Sequence, residues 1–347
     1  MGAERRKLII LFCMHRSGSS LSASILEKLG MSLGPFELLG AKASNPHGHF
    51  EPMPVYRLNA KIQTWAFGFH GDMPEDPETL ARFLDSKGAW PTDRAIPQEW
   101  LEEGARIARG FAEAGPITGI KEPRLVLTWP FWRRIFQEVE NLEIVPMMLA
   151  RSPHEIAMSM CIRAHGALPY WGALDVIGVN FARMLDIANE FPENPPVACF
   201  GAPRYWDDMR RLASRSGLTW DDEIVRRIYD DSSVHHLPAT VAHPAQELFD
   251  ELCGGGRTAI DPEANLVRLS EGMRRVETLM FARLHAKRTK LKTTLDKTRR
   301  VEKVLGVADP LFIAASRGKR LSKRIMLKIR GRDKDGEARS ARAKSSL

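Results

Sequence analysis

The sequence has no long apolar run and only four cysteines among its 347 residues. Its first apolar run lies within Lys7–Cys13 and is about seven residues long, whereas a helix that crosses a bilayer needs about 20. Polar residues follow this run at once, which is not the pattern of a signal peptide. We therefore expect neither a membrane span nor a secretory signal.

The cysteines stand far apart, at Cys13, Cys161, Cys199 and Cys253, and no Cys-x2-Cys pair occurs. This spacing favours free thiols in a reducing compartment over a disulfide framework or a zinc site. We therefore expect a cytoplasmic protein without a bound metal. Apolar residues make up 44% of the chain, which is enough for a sizeable core.

Charge is distributed unevenly along the chain. The 51 Lys and Arg residues exceed the 43 Asp and Glu residues, which gives a formal net charge of +8. Residues 283–347 hold 21 Lys and Arg against six Asp and Glu, a net charge of +15, so the preceding residues carry −7. We therefore expect no nucleic-acid binding by the globular part. A tail of this charge could instead hold the protein at the periphery of an anionic membrane.

A loop rich in serine and glycine follows the first apolar run. Residues Met14–Ser20 read MHRSGSS, and the spacing of the apolar residues after them predicts a helix over 21–29. A buried strand, a loop of small residues and a helix form a cradle for phosphate, because loop N–H groups and the helix N-terminus face the anion. An ordinary strand-to-helix turn would have a similar composition.

This loop lacks the lysine of a nucleoside-triphosphatase P-loop. When Gly18 is aligned with the second glycine of Gly-x4-Gly-Lys-Ser/Thr, Ser19 takes the place of the lysine. A phosphatase loop, Cys-x5-Arg, also fails, because Ser19 stands where Cys13 would require the arginine. The loop's arginine is Arg16 instead, so the sequence predicts phosphate binding without ATP hydrolysis.

Two histidines and a glutamate lie close together in the segment NPHGHFEP. His47, His49 and Glu51 would point to one side if the segment were extended, because side chains alternate along a strand. The segment is interpreted either as a polar loop between helices or as an active-site edge that carries a general base.

Charged residues stand at the ends of two further apolar segments. Gly115–Lys121 and Leu142–Leu149 are predicted strands, and Arg151 follows the second. Ligands of open α/β sheets bind at the carboxyl ends of the strands. Pro153 begins a predicted helix that carries Ser159 two turns further on. The arginine guanidinium is well suited to bind phosphate through two parallel hydrogen bonds.

Strands and helices alternate from residue 7 to residue 217, which predicts an α/β fold: a three-layer sandwich with a central parallel sheet. We interpret 71–97, rich in Pro, Asp and Gly, as a surface insertion. The predicted organisation is an α/β domain over 1–250, a long helical extension over 251–316 through which two copies could pair, and a basic, partly disordered tail over 317–347.

The ordered set of these segments resembles the sulfotransferases that use 3′-phosphoadenosine 5′-phosphosulfate (PAPS), a P-loop-like family, and in particular their bacterial type. His15–Ser20 resembles the family's 5′-phosphosulfate loop, and Arg151–Ser159 resembles its 3′-phosphate motif. Asn45–Glu51 and Lys121–Arg124 resemble segments of the bacterial and tyrosylprotein branches. Together these segments cover roughly residues 5–245.

The resemblance implies transfer of a sulfuryl group from PAPS to an acceptor hydroxyl, expected to belong to a carbohydrate or glycolipid, without a metal. The product of the donor would be adenosine 3′,5′-bisphosphate (PAP). Arg16 would bind the donor and stabilise the leaving oxygen, and Lys121 resembles a transition-state lysine. The remaining donor-binding residues implied by the resemblance are Ser17, Gly18, Ser19, Ser20, Arg151 and Ser159.

The general base has several candidates on this resemblance. Glu51 comes first by similarity of its segment, followed by His49. Glu37 is favoured by counting from Arg16, and Glu122 stands after the second strand, where cytosolic members carry a histidine.

Two other functions are compatible with parts of this pattern. A nucleotide or sugar kinase could share the fold, but the loop lysine and the usual metal ligands of a kinase are missing. A binding or scaffold protein could keep the fold without activity, but it would not need Arg16, Arg151 and Ser159.

Overall fold

The computed structural model describes residues 5–41, 48–163, 169–193, 195–202, 204–228, 241 and 243–253. Its strands are Arg6–Cys13 (β1), Ile117–Lys121 (β2), Leu142–Arg151 (β3) and Val197–Phe200 (β4). Its helices are Ser19–Lys28 (α1), Met53–Phe67 (α2), Pro77–Asp85 (α3), Gln98–Glu113 (α4), Leu125–Gln137 (α5), Pro153–Arg163 (α6), Tyr170–Asn189 (α7), Tyr205–Ser216 (α8), Asp222–Ile228 (α9) and Pro244–Leu252 (α10).

The four strands form one parallel sheet in the order β2-β1-β3-β4. The chain leaves β1 toward β2 and then returns to the opposite side of β1 for β3, which opens a crevice at the carboxyl ends of these strands. The register places Leu11 beside Lys121, and Arg151 beside Phe200. The predicted phosphate loop, Lys121 and Arg151 therefore reach the same edge of the sheet.

Alternate residues of β1 enter two separate hydrophobic clusters. Leu8, Ile10 and Phe12 pack with α2, α4, α5 and α7, whereas Ile9 and Leu11 pack with α1 and α8. A strand buried on both faces requires helices on both sides. The predicted α/β fold, a three-layer sandwich around a parallel sheet, is confirmed.

The segment over 71–97 differs from its interpretation as a surface insertion. It contains α3, which Asp76 caps by accepting a hydrogen bond from the Thr79 N–H. Leu80 and Phe83 of α3 are buried in the core. The glycines and prolines around α3 obscured its helical pattern.

Two cysteines also depart from expectation. Cys199 at the end of β4 and Cys253 after α10 form a disulfide, so the prediction of free thiols is wrong for this pair. The residues are 54 positions apart, and no local spacing could have revealed that the fold brings them together. Cys13 has a free thiol, as predicted.

The C-terminal predictions remain predictions. The proposed boundary at residue 250 falls within α10, and the extension and tail after Cys253 lie outside the described residues. Among the described helices, none combines the length and the apolar character needed to cross a bilayer.

Candidate active site

The loop between β1 and α1 has a backbone that favours small residues. Gly18 has a φ of 82° in the left-handed region, and a Cβ atom there would lie 2.7 Å from Cδ2 of Phe200. Glycine is therefore required both by conformation and by space. Ser17 steadies the loop by donating a hydrogen bond from Oγ to the Met14 carbonyl at 2.8 Å.

Arg16 joins this loop to the middle of α6. Its Nε donates a hydrogen bond to Ser159 Oγ at 2.7 Å, across 143 positions of sequence. Arg16 has a φ of 67°, a left-handed conformation that is uncommon outside glycine. The two segments predicted to hold opposite ends of one nucleotide are therefore in direct contact.

Arg151 stands at the end of β3 with its guanidinium largely shielded from solvent. One terminal nitrogen lies 2.8 Å from Glu155 Oε1, and the guanidinium carbon lies 5.0 Å from the centre of the Phe200 ring. Within the part of the chain that the structure describes, its Nε is buried without a hydrogen-bond partner. This arginine thus has donor capacity left for an anion.

Lys121 at the end of β2 forms a buried ion pair with Glu51. Its Nζ lies 2.7 Å from Glu51 Oε1, 3.1 Å from the His49 carbonyl and 3.5 Å from Ser20 Oγ. Burial alone would raise the pKa of Glu51, but the charge and hydrogen bond of Lys121 outweigh it and hold the pKa below its usual value. The carboxylate is therefore ionised at neutral pH and pairs with the lysine.

Glu122, the next residue, is completely buried. Its carboxylate accepts hydrogen bonds from the Asn59 amide and from both the side chain and the backbone N–H of Arg124. Burial raises the pKa of Glu122 to about 7, against the opposing charge of Arg124. These contacts hold the Lys-Glu-Pro-Arg segment in place at the carboxyl end of β2.

His15 lies close to a carboxylate that no sequence motif connects with it. Its Nδ1 lies 3.2 Å from Oδ1 of Asp72, in the stretch between α2 and α3. Burial lowers the pKa of His15 to about 4, although the charge of Asp72 opposes the shift. The imidazole is therefore neutral at pH 7.

Thiol chemistry is not available at the loop. Burial raises the pKa of Cys13 to about 11, so its side chain is a protonated thiol at neutral pH. Within the described ranges, no group of three or more His, Cys, Asp or Glu side chains could hold a metal ion.

Solved structures similar to this chain are sulfotransferases. They include the sulfotransferase domain of the Synechococcus PCC 7002 olefin synthase, with 16% identity, coverage of 82% of this chain and 97% of that domain, and a TM-score of 0.37. They also include the sulfotransferase domain of the curacin biosynthetic pathway, with 14% identity, coverage of 81% and 97%, and a TM-score of 0.38. A sulfotransferase from Mycobacterium tuberculosis H37Rv has 13% identity, coverage of 72% and 77%, and a TM-score of 0.37.

No protein-family model and no curated protein matches the chain. The similar structures are of the same kind that the sequence motifs resemble. At these identities and TM-scores the likeness carries no functional conclusion, so the function is argued from the residues of the site.

The structure groups most of the predicted site residues. Arg16 meets Ser159 on one side of the loop, and Lys121 meets Glu51, with His49 Nδ1 3.9 Å from Glu51 Oε1, on the other. The Glu37 side chain is exposed, while its backbone carbonyl accepts a hydrogen bond from the Met53 N–H. His47 lies outside the described residues, and the roles predicted for all these residues remain predictions.

Sequence reasoning missed the partners of the predicted residues. The contacts of Asp72 with His15 and of Phe200 with Arg151 join distant segments, and neither segment has a motif of its own. The signal that pointed toward His15 was its place beside Arg16 at the carboxyl end of β1.

Proposed function

We propose that this protein is a sulfotransferase that moves a sulfuryl group from PAPS to an acceptor hydroxyl. The observation that carries the proposal is the 2.7 Å hydrogen bond between Arg16 Nε and Ser159 Oγ. It brings together a phosphate loop and an Arg–Ser motif that the sequence predicts for the two phosphorylated ends of one nucleotide. ATP has no phosphate on its 3′-hydroxyl and would make no use of the second motif.

The residues of the site fit such a donor. PAPS, when bound, supplies an activated sulfuryl group linked to its 5′-phosphate through a bridging oxygen. The first N–H groups of α1, at Ser19 and Ser20, carry partial positive charge toward the 5′-phosphate. Arg151 offers the 3′-phosphate a buried Nε–H that has no hydrogen-bond partner among the described residues. Gly18 leaves the loop backbone free of a side chain at the point where it passes Phe200.

Charge stabilisation falls to Arg16 and Lys121. Arg16 places a guanidinium at the loop, where it would stabilise charge that develops on the leaving oxygen. Lys121 Nζ lies 2.7 Å from Glu51 Oε1 and 3.5 Å from Ser20 Oγ at the start of α1. Two cations held on opposite sides of one loop suit an in-line transfer that depends on positioning and electrostatics.

For the acceptor we propose the hydroxyl of a carbohydrate or glycolipid, and for the location the cytoplasm. Both rest on the resemblance of the sequence motifs, and the location loses the support of the cysteines now that Cys199 and Cys253 are paired.

Calorimetry with a matched pair of nucleotides tests the proposal. PAP and adenosine 5′-phosphate differ only in the 3′-phosphate, so the parent should bind PAP more tightly. Arg151→Ala should weaken PAP binding by about tenfold to a hundredfold, which corresponds to about 1.5–3 kcal/mol for a charged hydrogen bond, and leave adenosine 5′-phosphate unaffected. Arg210→Ala, on the exposed face of α8, is the control and should change neither affinity.

Each alternative function predicts a different result. A kinase should bind ATP with magnesium more tightly than PAP. A scaffold without a nucleotide site should bind none of these compounds. An Arg151→Ala variant that binds PAP as the parent does would contradict the assignment of the 3′-phosphate site.

A further inference from the structure

We propose that His15 is the general base that accepts the proton of the acceptor hydroxyl, and that Asp72 positions its imidazole. The inference rests on the proposed sulfuryl transfer and adds to it a residue pair that the sequence motifs do not assign. It replaces Glu51 as the first candidate for the base.

The carboxylate of Asp72 lies close enough to His15 to influence which ring nitrogen carries the proton. Asp72 Oδ1 lies 3.2 Å from His15 Nδ1, which favours the tautomer that carries its proton on Nδ1. In that tautomer Nε2 keeps a lone pair, and within the described part of the chain no hydrogen bond involves this atom. The His15 side chain is 14% exposed, so the ring is enclosed and still has access to a small ligand.

The loop directs His15 and Arg16 to different parts of the site. Arg16, with its left-handed backbone, reaches Ser159 on α6, whereas His15 reaches Asp72 after α2. The charged groups that act on His15 are Asp72, Arg124, Glu51 and Lys121. His15 thus shares its surroundings with the lysine that contacts Ser20, at the start of α1, and it lies on the side of the loop opposite the predicted 3′-phosphate site.

The carboxylates of the site are less suitable as bases. A proton taken up by Glu51 would break its 2.7 Å contact with Lys121 and leave the ammonium buried without a counter-ion. Glu122 is fully buried and is held by Asn59 and Arg124. Glu37 is exposed.

The proposed step balances in atoms and charge. His15 Nε2 takes the proton of the acceptor O–H while the acceptor oxygen forms a bond to sulfur. The bond between sulfur and the bridging oxygen breaks, and its electron pair stays on that oxygen, where Arg16 stabilises the charge. His15 then releases the proton to solvent, so the products are a sulfate ester, PAP and one proton.

Nitrogen-15 NMR of the histidine rings tests the dyad without any turnover. In the parent at pH 7, His15 should be neutral with its proton on Nδ1. Asp72→Asn should populate the other tautomer, whereas Asp85→Asn, an exposed carboxylate at the end of α3, should not. A proton found on Nε2 in the parent would overturn the proposal.

Hydrolysis of PAPS, with water as the acceptor, tests the role in transfer. His15→Gln should lower the turnover at pH 7 by roughly a hundredfold, because a positioned base contributes at least that much. PAP affinity by calorimetry should be unchanged, which also shows that the variant is folded. His70→Gln, an exposed histidine of the same region, is the control and should keep parental turnover.

The pH profile separates a base from a structural residue. A base works when deprotonated, so parental turnover should fall as the pH falls through about 4. Asp72→Asn removes a charge that stabilises the imidazolium, so the fall in turnover should move to lower pH. The assignment of His15 as the base is overturned if His15→Gln keeps the parental turnover and its fall at low pH while Glu51→Gln loses both. The proposed sulfuryl transfer would still stand in that case. If the parent protein does not bind PAP, the assignment of the base and the proposed function are both refuted.

Discussion

Lys121 and Glu51 form an ion pair that is almost completely removed from solvent, with side chains 3% and 5% exposed. Removing one partner of such a pair leaves the other charge buried, which typically costs about 3–5 kcal/mol. We therefore expect Glu51→Gln to lower the free energy of unfolding by about that amount at pH 7. The double variant Glu51→Gln with Lys121→Met should recover most of the loss, because neither charge then remains buried.

Chemical denaturation at several pH values checks this prediction. The folded-state pKa of Glu51 is held below its ordinary value of 4.5, so its stabilising effect is present above pH 4.5 and is lost as the pH falls through the folded-state pKa. The gap between parent and Glu51→Gln should narrow in that range. Glu103→Gln is the control, because its pair with Lys61 is partly exposed and should contribute less than about 1 kcal/mol. If the double variant is as unstable as Glu51→Gln, the loss of stability does not come from an uncompensated charge on buried Lys121.

At the scale of single residues, the sequence singled out candidate residues but did not reveal their contacts. The assignment of Arg16 and Ser159 to one nucleotide is a prediction that rests on the family resemblance of the segments that contain them. The contact between His15 and Asp72 could not be foreseen, because it depends on the path of the chain from α2 to α3. Glu51 stays a predicted site residue, and its pairing with Lys121 argues for a role other than that of a base.

The secondary-structure elements with continuous apolar patterns were the most predictable. β1 and β3 are hydrophobic almost throughout because helices cover both sides of the sheet. α3 was missed because it is short and lies among prolines and glycines, although Leu80 and Phe83 bury its inner face. α10 begins at Pro244 and is capped by the preceding histidine. The composition of the region did not predict this helix.

The disulfide between Cys199 and Cys253 couples two elements near the site. Cys199 precedes Phe200, which packs against Gly18 and Arg151, and Cys253 follows α10. A crosslink across 54 positions is expected to stabilise the protein by about 2–4 kcal/mol, mainly by restricting the unfolded chain. Reduction should therefore lower the melting temperature, and Cys199→Ser with Cys253→Ser should match the reduced parent.

Thermal unfolding with and without reductant checks this prediction. The double variant should show no further response to reductant, which separates the disulfide from other effects of the reagent. Cys161→Ser, which replaces a cysteine outside this disulfide, should behave like the parent. An equal response to reductant in the parent and the double variant would show that the disulfide contributes nothing to stability.

Across the whole molecule, the alternation of strands and helices was enough to predict the layers of the sandwich but not the path of every connection. The fold follows from local periodicity, which a single sequence displays. The long-range contacts that complete the site, such as Phe200 against Gly18, depend on the order of strands in the sheet. Strand order has no local signature, so these contacts became visible only in the structure.

The basic segment at the C-terminus leads to a prediction for the whole chain. Residues 317–347 lie outside the described residues and contain 12 Lys and Arg against three Asp and Glu. Such a segment should bind an anionic lipid surface, because each basic residue near the surface contributes about 1 kcal/mol within a Debye length of about 8–10 Å. Co-sedimentation with phosphatidylserine-containing vesicles should capture the full chain at low salt and fall steeply as the salt rises. Neutral phosphatidylcholine vesicles are the control. A variant that lacks residues 317–347 should bind neither kind of vesicle. Binding that persists in this variant, or that does not respond to salt, would assign the membrane contact to another surface.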